Sequence, residues 1–321
     1  MHSHTGCAHF FATSVIGQPP SAHSTPEARR SASPMVRLLI CLALVAGVTA
    51  MPGARQVQEG DLARTLALVG QRVESWYRRA QSVVSRETVA IQRLQSDFTP
   101  AEGPRRLAFE LRVGWETDPE SPSGPPVASV LRQPVSAGGR PVRRDQDPGC
   151  LDPKPVSPEP LGMLLPDRLR ESVFSAAGIG RVDGRRALMI DYRGMSAAPP
   201  SVTWTGECVS VSLPGQSRGR VWIDAATYEV LRMDDRLVGS FTLDVPRDQV
   251  RRGAASTMVI ERAESSIRYR RVAFEDPHEA LMLPASIDTL TVIRGIVTDR
   301  VRMTQRFSDY RRFLTGGRVL D

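Results

Sequence analysis

His278 is the one histidine that follows residue 50; the other four fall within the first 34 residues. One imidazole cannot build a multi-histidine metal site. With no nucleophile motif beside it, it also argues against a Ser-His-Asp or Cys-His relay. Its setting, Glu275-Asp-Pro-His-Glu279, is a polar turn, so an exposed loop histidine is expected. No Gly-x-Ser-x-Gly and no phosphate-binding loop occurs. Gly178-Ile-Gly180 ahead of Gly184 has the wrong spacing for a dinucleotide fingerprint and precedes a strand where a helix is required. Asp234-Asp235 could hold a cation, but a turn at a strand end explains the pair more simply. Carboxylates for glycoside chemistry pair in space, and no sequence signal selects any. The chain therefore reads as a non-enzyme with no catalytic residue, no metal site and no cofactor.

The remaining reactive residues are cysteines. After residue 50 there are two, Cys150 in a Pro/Gly-rich stretch and Cys208 in a strand-like one. In an oxidising compartment a pair of this kind reads as one disulfide, with two unpaired thiols as the alternative.

The compartment follows from residues 35–50. Met35-Val-Arg37 leads an apolar run, Leu38 to Val48, that ends Val48-Thr49-Ala50 with small residues at both positions a signal peptidase reads. The run is shorter than the roughly 20 residues a membrane span needs, and Pro52-Gly53 follow it. Cys41 has no small residue before it and does not resemble a lipid-attachment site. A cleaved signal peptide and a periplasmic or secreted product are expected. Residues 1–34 are read as a disordered or mis-assigned leader, with Met35 as the start. Loss of the leader and signal takes Arg29, Arg30, Arg37 and Glu27 and lowers the net charge from +7 to +5. Lys154 is the only lysine, and the arginines are spread among acids rather than clustered. No nucleic-acid partner is expected, and membrane contact is expected to be peripheral only.

These residues need a scaffold, and the pattern from residue 57 to 321 predicts one domain. Leu62, Leu66, Val69, Val73, Trp76 and Ala80 recur at steps of four and three, so residues 61–80 form an amphipathic helix with Asp61 as its N-cap. The period then becomes two. Strands are predicted at 83–91 and 107–113, the latter with Leu107, Phe109, Leu111 and Val113 on one face. Residues 117–160 carry 11 of the 25 prolines and are read as a long loop, with one short strand near 127–131. A short helix is predicted over 161–174. Asp183-Gly184 signals a hairpin turn, and Asp224-Ala-Ala-Thr227 joins the clearest hairpin, 219–234. Further strands fit 240–245, 257–260, 267–274, 287–296 and 300–307. The last of these has Val301, Met303 and Phe307 on one face and arginines opposite. The fold class is α+β, mainly antiparallel: one large curved sheet, an incomplete barrel, packed on the N-terminal helix.

The export signal, the helix, the meandering strands and a hairpin of the form Gly-Arg-Val-Trp-Ile-Asp…Tyr-Glu-Val-Leu-Arg resemble the periplasmic lipoprotein-carrier superfamily (LolA/LolB-like). The residues that carry the resemblance are Val221, Trp222, Ile223, Asp224, Val230 and Arg232. It implies an incomplete barrel closed by helices that holds acyl chains in its cavity. The Pro-rich 117–160 stretch and the expected disulfide depart from the simple carrier pattern. The expected function is an extracytoplasmic, non-catalytic binding or carrier protein for an apolar ligand, a lipid or a lipidated protein. Two alternatives stay open: a cell-envelope structural or interaction module that docks partners through the Pro-rich stretch or a sheet edge, and a hydrolase using carboxylates.

Overall fold

The structure is a computed structural model of the whole chain. It describes residues 8–11, 59–80, 82–116, 127–142, 159–195, 199–205, 208–251, 255–295 and 298–312. The export signal and Cys150 lie outside the described residues.

Helix α1 spans Glu59–Arg79. It begins two residues earlier than the sequence reading, so Asp61 sits inside the first turn, where its charge meets the positive end of the helix dipole, and is not the N-cap. The predicted stripe is the buried one. Leu66, Val69, Val73, Trp76 and Ala80 face the core, joined by Tyr77.

Eleven strands follow one another across a single antiparallel sheet. In spatial order they are β5 (Arg140–Pro141), β4 (Val127–Ala137), β3 (Arg105–Glu116), β2 (Val83–Arg93), β15 (Thr298–Arg312), β14 (Glu279–Arg294), β13 (Thr257–Phe274), β11 (Val230–Leu237), β10 (Ser217–Asp224), β7 (Arg185–Gly194) and β6 (Ser172–Val182). A twelfth, β12 (Phe241–Asp244), pairs with the start of β13. The sheet does not close: β6 and the β4–β5 hairpin are its two edges. Register shifts at Ala108/Phe109, Ala176/Gly178, Trp222/Ile223, Ile260/Arg262, Arg268/Tyr269 and Ser308/Arg311 bend the strands. Each such irregularity adds local twist and curls the sheet over its contents. A separate three-stranded sheet, β1 (Ala8–Phe11), β9 (Cys208–Ser212) and β8 (Ser201–Thr205), is arranged with β9 in the middle. It contributes Val211 to a small second core with Leu213, Leu243 and Ile260. A short helix, α2, covers Arg247–Arg251.

Several boundaries differ from the sequence reading. The Pro-rich stretch read as loop contains β4, eleven residues long. Pro134 sits inside it, which an edge strand tolerates because one of its two sides needs few ladder donors. Residues 161–174 are not one helix. They are two 3-10 turns, Glu159–Leu164 and Leu169–Glu171, followed directly by β6, so Val173 and Phe174 belong to a strand. The two strands expected at 257–260 and 267–274 are one strand of 18 residues, because irregularities bend it without ending it. Asp183 and Gly184 both take positive φ, as the predicted two-residue turn requires.

Candidate functional site

Strand alternation sends odd-numbered residues of β2, β3 and β15 to the inner, concave face. Across the ladder, Glu87 pairs with Phe109 and Phe307, while Val89 pairs with Leu107 and Gln305. Ile287 of β14 lies opposite Gln305. The inner face divides into two apolar regions. The larger contains Val69, Val73, Trp76 and Tyr77 of α1, Leu161, Leu164 and Leu165 of the 3-10 segment, and the inner residues of most strands from β6 to β15. Here the helix and the 159–171 segment cover the sheet. Trp76 Nε1 donates to the Met282 carbonyl at 2.6 Å, and Arg79 Nε donates to Glu279 Oε2 at 2.9 Å, which ties the helix to the start of β14. The smaller region comprises Val89, Leu107, Phe109 and Met303, flanked by Ile91 and Ala137. All of its members come from the sheet itself.

Between the two regions runs a buried polar seam. Glu87 is 0% exposed. Its carboxylate accepts from Arg132 Nε at 2.8 Å and Arg132 Nη2 at 2.6 Å, a two-point pair. Gln305 Nε2 donates to the same carboxylate at 2.9 Å. The Arg132 guanidinium stacks over the Phe109 ring at 3.9 Å and covers it. Arg132 reaches the inner face because it pairs with inward-facing Leu111 on β3. Gln305 Oε1 is buried and accepts nothing. The amide orientation is set by chemistry: the carboxylate can only accept, so it must face the –NH₂ group.

A second inner polar pair sits under the helix-covered half. The Tyr192 hydroxyl donates to Asp235 Oδ1 at 2.7 Å. Burial raises the Asp235 carboxyl above the usual carboxylate range, against the hydrogen bonds from Tyr192 and Ser217 that pull it down. Burial, with Asp235 beside it, likewise pushes the Tyr192 phenol well up. Gly219 makes this pair feasible. A Cβ there would lie 1.9 Å from the Asp234 carbonyl and 2.6 Å from the Tyr192 hydroxyl, so only glycine lets the ring cross β10.

The sequence-selected residues fall into different places. Val221 and Ile223 point inward and are fully buried, with Val230 beside them in the main core. Trp222 and Arg232 lie on the outer face, the guanidinium 4.6 Å from the ring centroid. Asp224 closes the hairpin by accepting from the Ala226 and Thr227 backbone N–H groups at 2.9 and 2.8 Å. Burial alone would raise its carboxyl, but those N–H groups and Arg185 outweigh it and hold the group below the usual range. These six residues build a hairpin and do not gather around the seam. Cys208 opens β9, in the three-stranded sheet and not in the large one. His278 is exposed at the β13–β14 turn. Asp234 and Asp235 are not at a strand end. They lie inside β11 on opposite faces, Asp234 bound outward to Arg232 and Ser266, Asp235 inward to Tyr192. Sequence reasoning missed Glu87, Arg132 and Gln305. The available signal was polar residues interrupting alternating apolar positions: Ser85 and Glu87 between Val83 and Val89, and Gln305 between Met303 and Phe307.

No protein-family model matches the chain, and no curated protein matches it by sequence. Among solved structures it is similar to a DUF1329 family protein from Desulfovibrio piger, at 10% identity, covering 80% of this chain and 95% of that one, with a TM-score of 0.39. It is also similar to a LolA superfamily protein from Nitrosomonas europaea, at 11% identity, covering 78% of this chain and 96% of that one, with a TM-score of 0.31.

Proposed function

We propose that this chain is a non-catalytic, extracytoplasmic binding or carrier protein that holds an apolar ligand, a lipid or an acylated partner, on the inner face formed by β2, β3, β4 and β15. The observation that carries this reading is the division of that face. One half is covered by α1 and the 159–171 segment. The other is the cluster Val89, Leu107, Phe109 and Met303, buried at 1–8% exposure, whose members come from strands alone. Native mass spectrometry after gentle purification is expected to show co-purified lipid, and N-phenyl-1-naphthylamine is expected to fluoresce on binding. A protein that emerges empty and ignores both the dye and fluorescent fatty acids would overturn the reading. Export rests on residues 35–50, and N-terminal sequencing of the secreted form is expected to begin at Met51. A Cys150–Cys208 disulfide belongs to the same proposal; non-reducing peptide mapping that finds both thiols free would remove it.

A second reading, an interaction module of the envelope, is favoured by the sheet edges. Leu131 and Val135 on β4, and Val173 and Ile179 on β6, are large apolar side chains exposed by 41–53%. Edge strands with such residues can accept an added strand. Crosslinking in whole cells through residues placed on β4 and β6 separates this reading from the carrier.

A further inference from the structure

Three arginines stand side by side on the outer face of the sheet. Arg218 of β10 lies directly opposite Arg193 of β7 on one side and Arg236 of β11 on the other. All three are exposed. Neighbouring strands run about 4.8 Å apart, so the three guanidinium groups serve one small area. Like charges directly opposite one another destabilise a sheet. The rest of this face avoids that cost by pairing its charges: Arg220 with Asp191 at 2.5 Å, Arg232 with Asp234 at 2.7 Å and Arg262 with Glu264 at 2.8 Å. Those pairs also engage the acids nearest the row. Asp191 and Asp234 sit one diagonal step from Arg218, and Glu264 faces Arg236 across the β11–β13 ladder. Among the described residues, the side chains of Arg193, Arg218 and Arg236 make no ion pair and no hydrogen bond. Three unneutralised cations have been kept together where pairing them was open to the sequence.

The row runs into apolar residues at the sheet edge. Val173 of β6 lies opposite Arg193 and is 53% exposed. Met195, whose N–H donates to the Glu171 carbonyl just before β6, is 56% exposed. These are the two most exposed large apolar side chains among the described residues. The Glu171 carboxylate is engaged by Arg168 at 3.1 Å.

We infer that this part of the outer face docks on an anionic phospholipid bilayer, with Arg193, Arg218 and Arg236 on headgroup phosphates and Val173 and Met195 in the boundary between headgroups and acyl chains. The planar guanidinium fork matches phosphate at two points. A bilayer surface offers negative charge and an apolar boundary together, and binding to it grows with both. Free phosphate or a nucleic acid gives Val173 and Met195 nothing to do, and the row holds no aromatic ring on which a base could stack. The surface lies opposite the inner face proposed to hold a ligand and does not depend on that reading.

The test is co-sedimentation of the full mature protein with phosphatidylcholine vesicles, with and without phosphatidylglycerol. Binding is expected only where phosphatidylglycerol is present, and it should weaken as salt is raised. Each basic residue near such a surface is worth about fivefold in affinity, so Arg193→Gln, Arg218→Gln and Arg236→Gln combined should lose roughly 100-fold. The control, Arg64→Gln, Arg72→Gln and Arg78→Gln on α1, removes the same charge from other exposed positions and should stay within about twofold of wild type. Val173→Ser with Met195→Ser should weaken binding about tenfold by withdrawing apolar area from the boundary. The row variant should unfold at no lower denaturant concentration than wild type, because it relieves like-charge contacts. Equal losses in the row and control variants mean that net charge alone binds, and overturn the inference. So does unchanged binding in the Val173/Met195 variant, or binding of inorganic phosphate or of duplex DNA that depends on the row while vesicles are ignored. Failure of wild type to distinguish the two vesicle compositions overturns it without recourse to any variant. Binding of N-phenyl-1-naphthylamine should be the same in wild type and the row variant, so the carrier reading and this one can fail separately.

Discussion

The two halves of the inner face bury similar side chains in different ways. Under α1, aliphatic residues from helix, 3-10 turns and strands interlock, and the Trp76 indole donates to the Met282 carbonyl. Beyond the Glu87–Arg132–Gln305 seam the apolar residues belong to the sheet alone, and the seam keeps one acceptor unmatched. The first half has the properties of a core that holds a fold. The second is a cluster of the same burial that the strands build without the helix.

The sharpest way to break this comparison is to cut the seam. Arg132→Leu leaves Glu87 buried without its cation and is expected to cost roughly 3–5 kcal/mol in denaturant unfolding. Glu87→Leu combined with Arg132→Leu should recover most of that loss. A single-variant cost below about 1 kcal/mol would show the pair to be solvated. Next, matched truncations separate the halves. Leu164→Ala, under the helix, is expected to cost about 2–5 kcal/mol and to leave dye binding unchanged. Met303→Ala should sit at the low end of that range and weaken dye binding. If Leu164→Ala weakens binding and Met303→Ala does not, the assignment of the two halves is reversed.

Two smaller effects compare carboxylates. Asp224→Ala strips the 224–227 turn of its acceptor and is expected to cost about 1–2 kcal/mol at neutral pH. The Asp224 carboxyl is held below its unfolded value, so its contribution is present above the usual carboxylate range and is lost as pH falls through the folded value. The gap between wild type and variant should therefore close in acid. Asp235 has the opposite sign. Its carboxyl is raised, so its contribution is present below the usual value near 3.8 and is lost as pH rises through the folded one. Asp235→Asn keeps an acceptor for Tyr192 and is expected to flatten that decline and gain slightly in stability at neutral pH. Unfolding curves collected from pH 3 to 8 read both effects.

Much of the frame was legible because it depends on local rules. The 62–80 stripe, the alternation at 107–113 and the Asp183-Gly184 and Asp224 turns need only neighbours in sequence to declare themselves. The extent of β4 was not legible. Pro134 argues against a strand, and only its place at the sheet edge, a tertiary fact, makes it acceptable. The seam was hidden for the same reason. Glu87 and Gln305 are 218 residues apart and Arg132 lies on a third strand, so nothing local ties them together. The 221–232 hairpin drew attention because its motif is continuous, yet it shapes the sheet and lies apart from the seam.

The position of β2 beside β15 has a consequence for how the chain is born. The first long strand after α1 pairs at once with β3 but finds its second neighbour only in residues 298–312, the last of the described strands. Until those residues have been synthesised, β2 to β5 form a detached ladder, joined to the rest by no strand pairing. Contacts that distant in sequence slow folding, because the entropy of closing the loop is lost before any pairing returns it. The seam, built from both ladders, is therefore completed last.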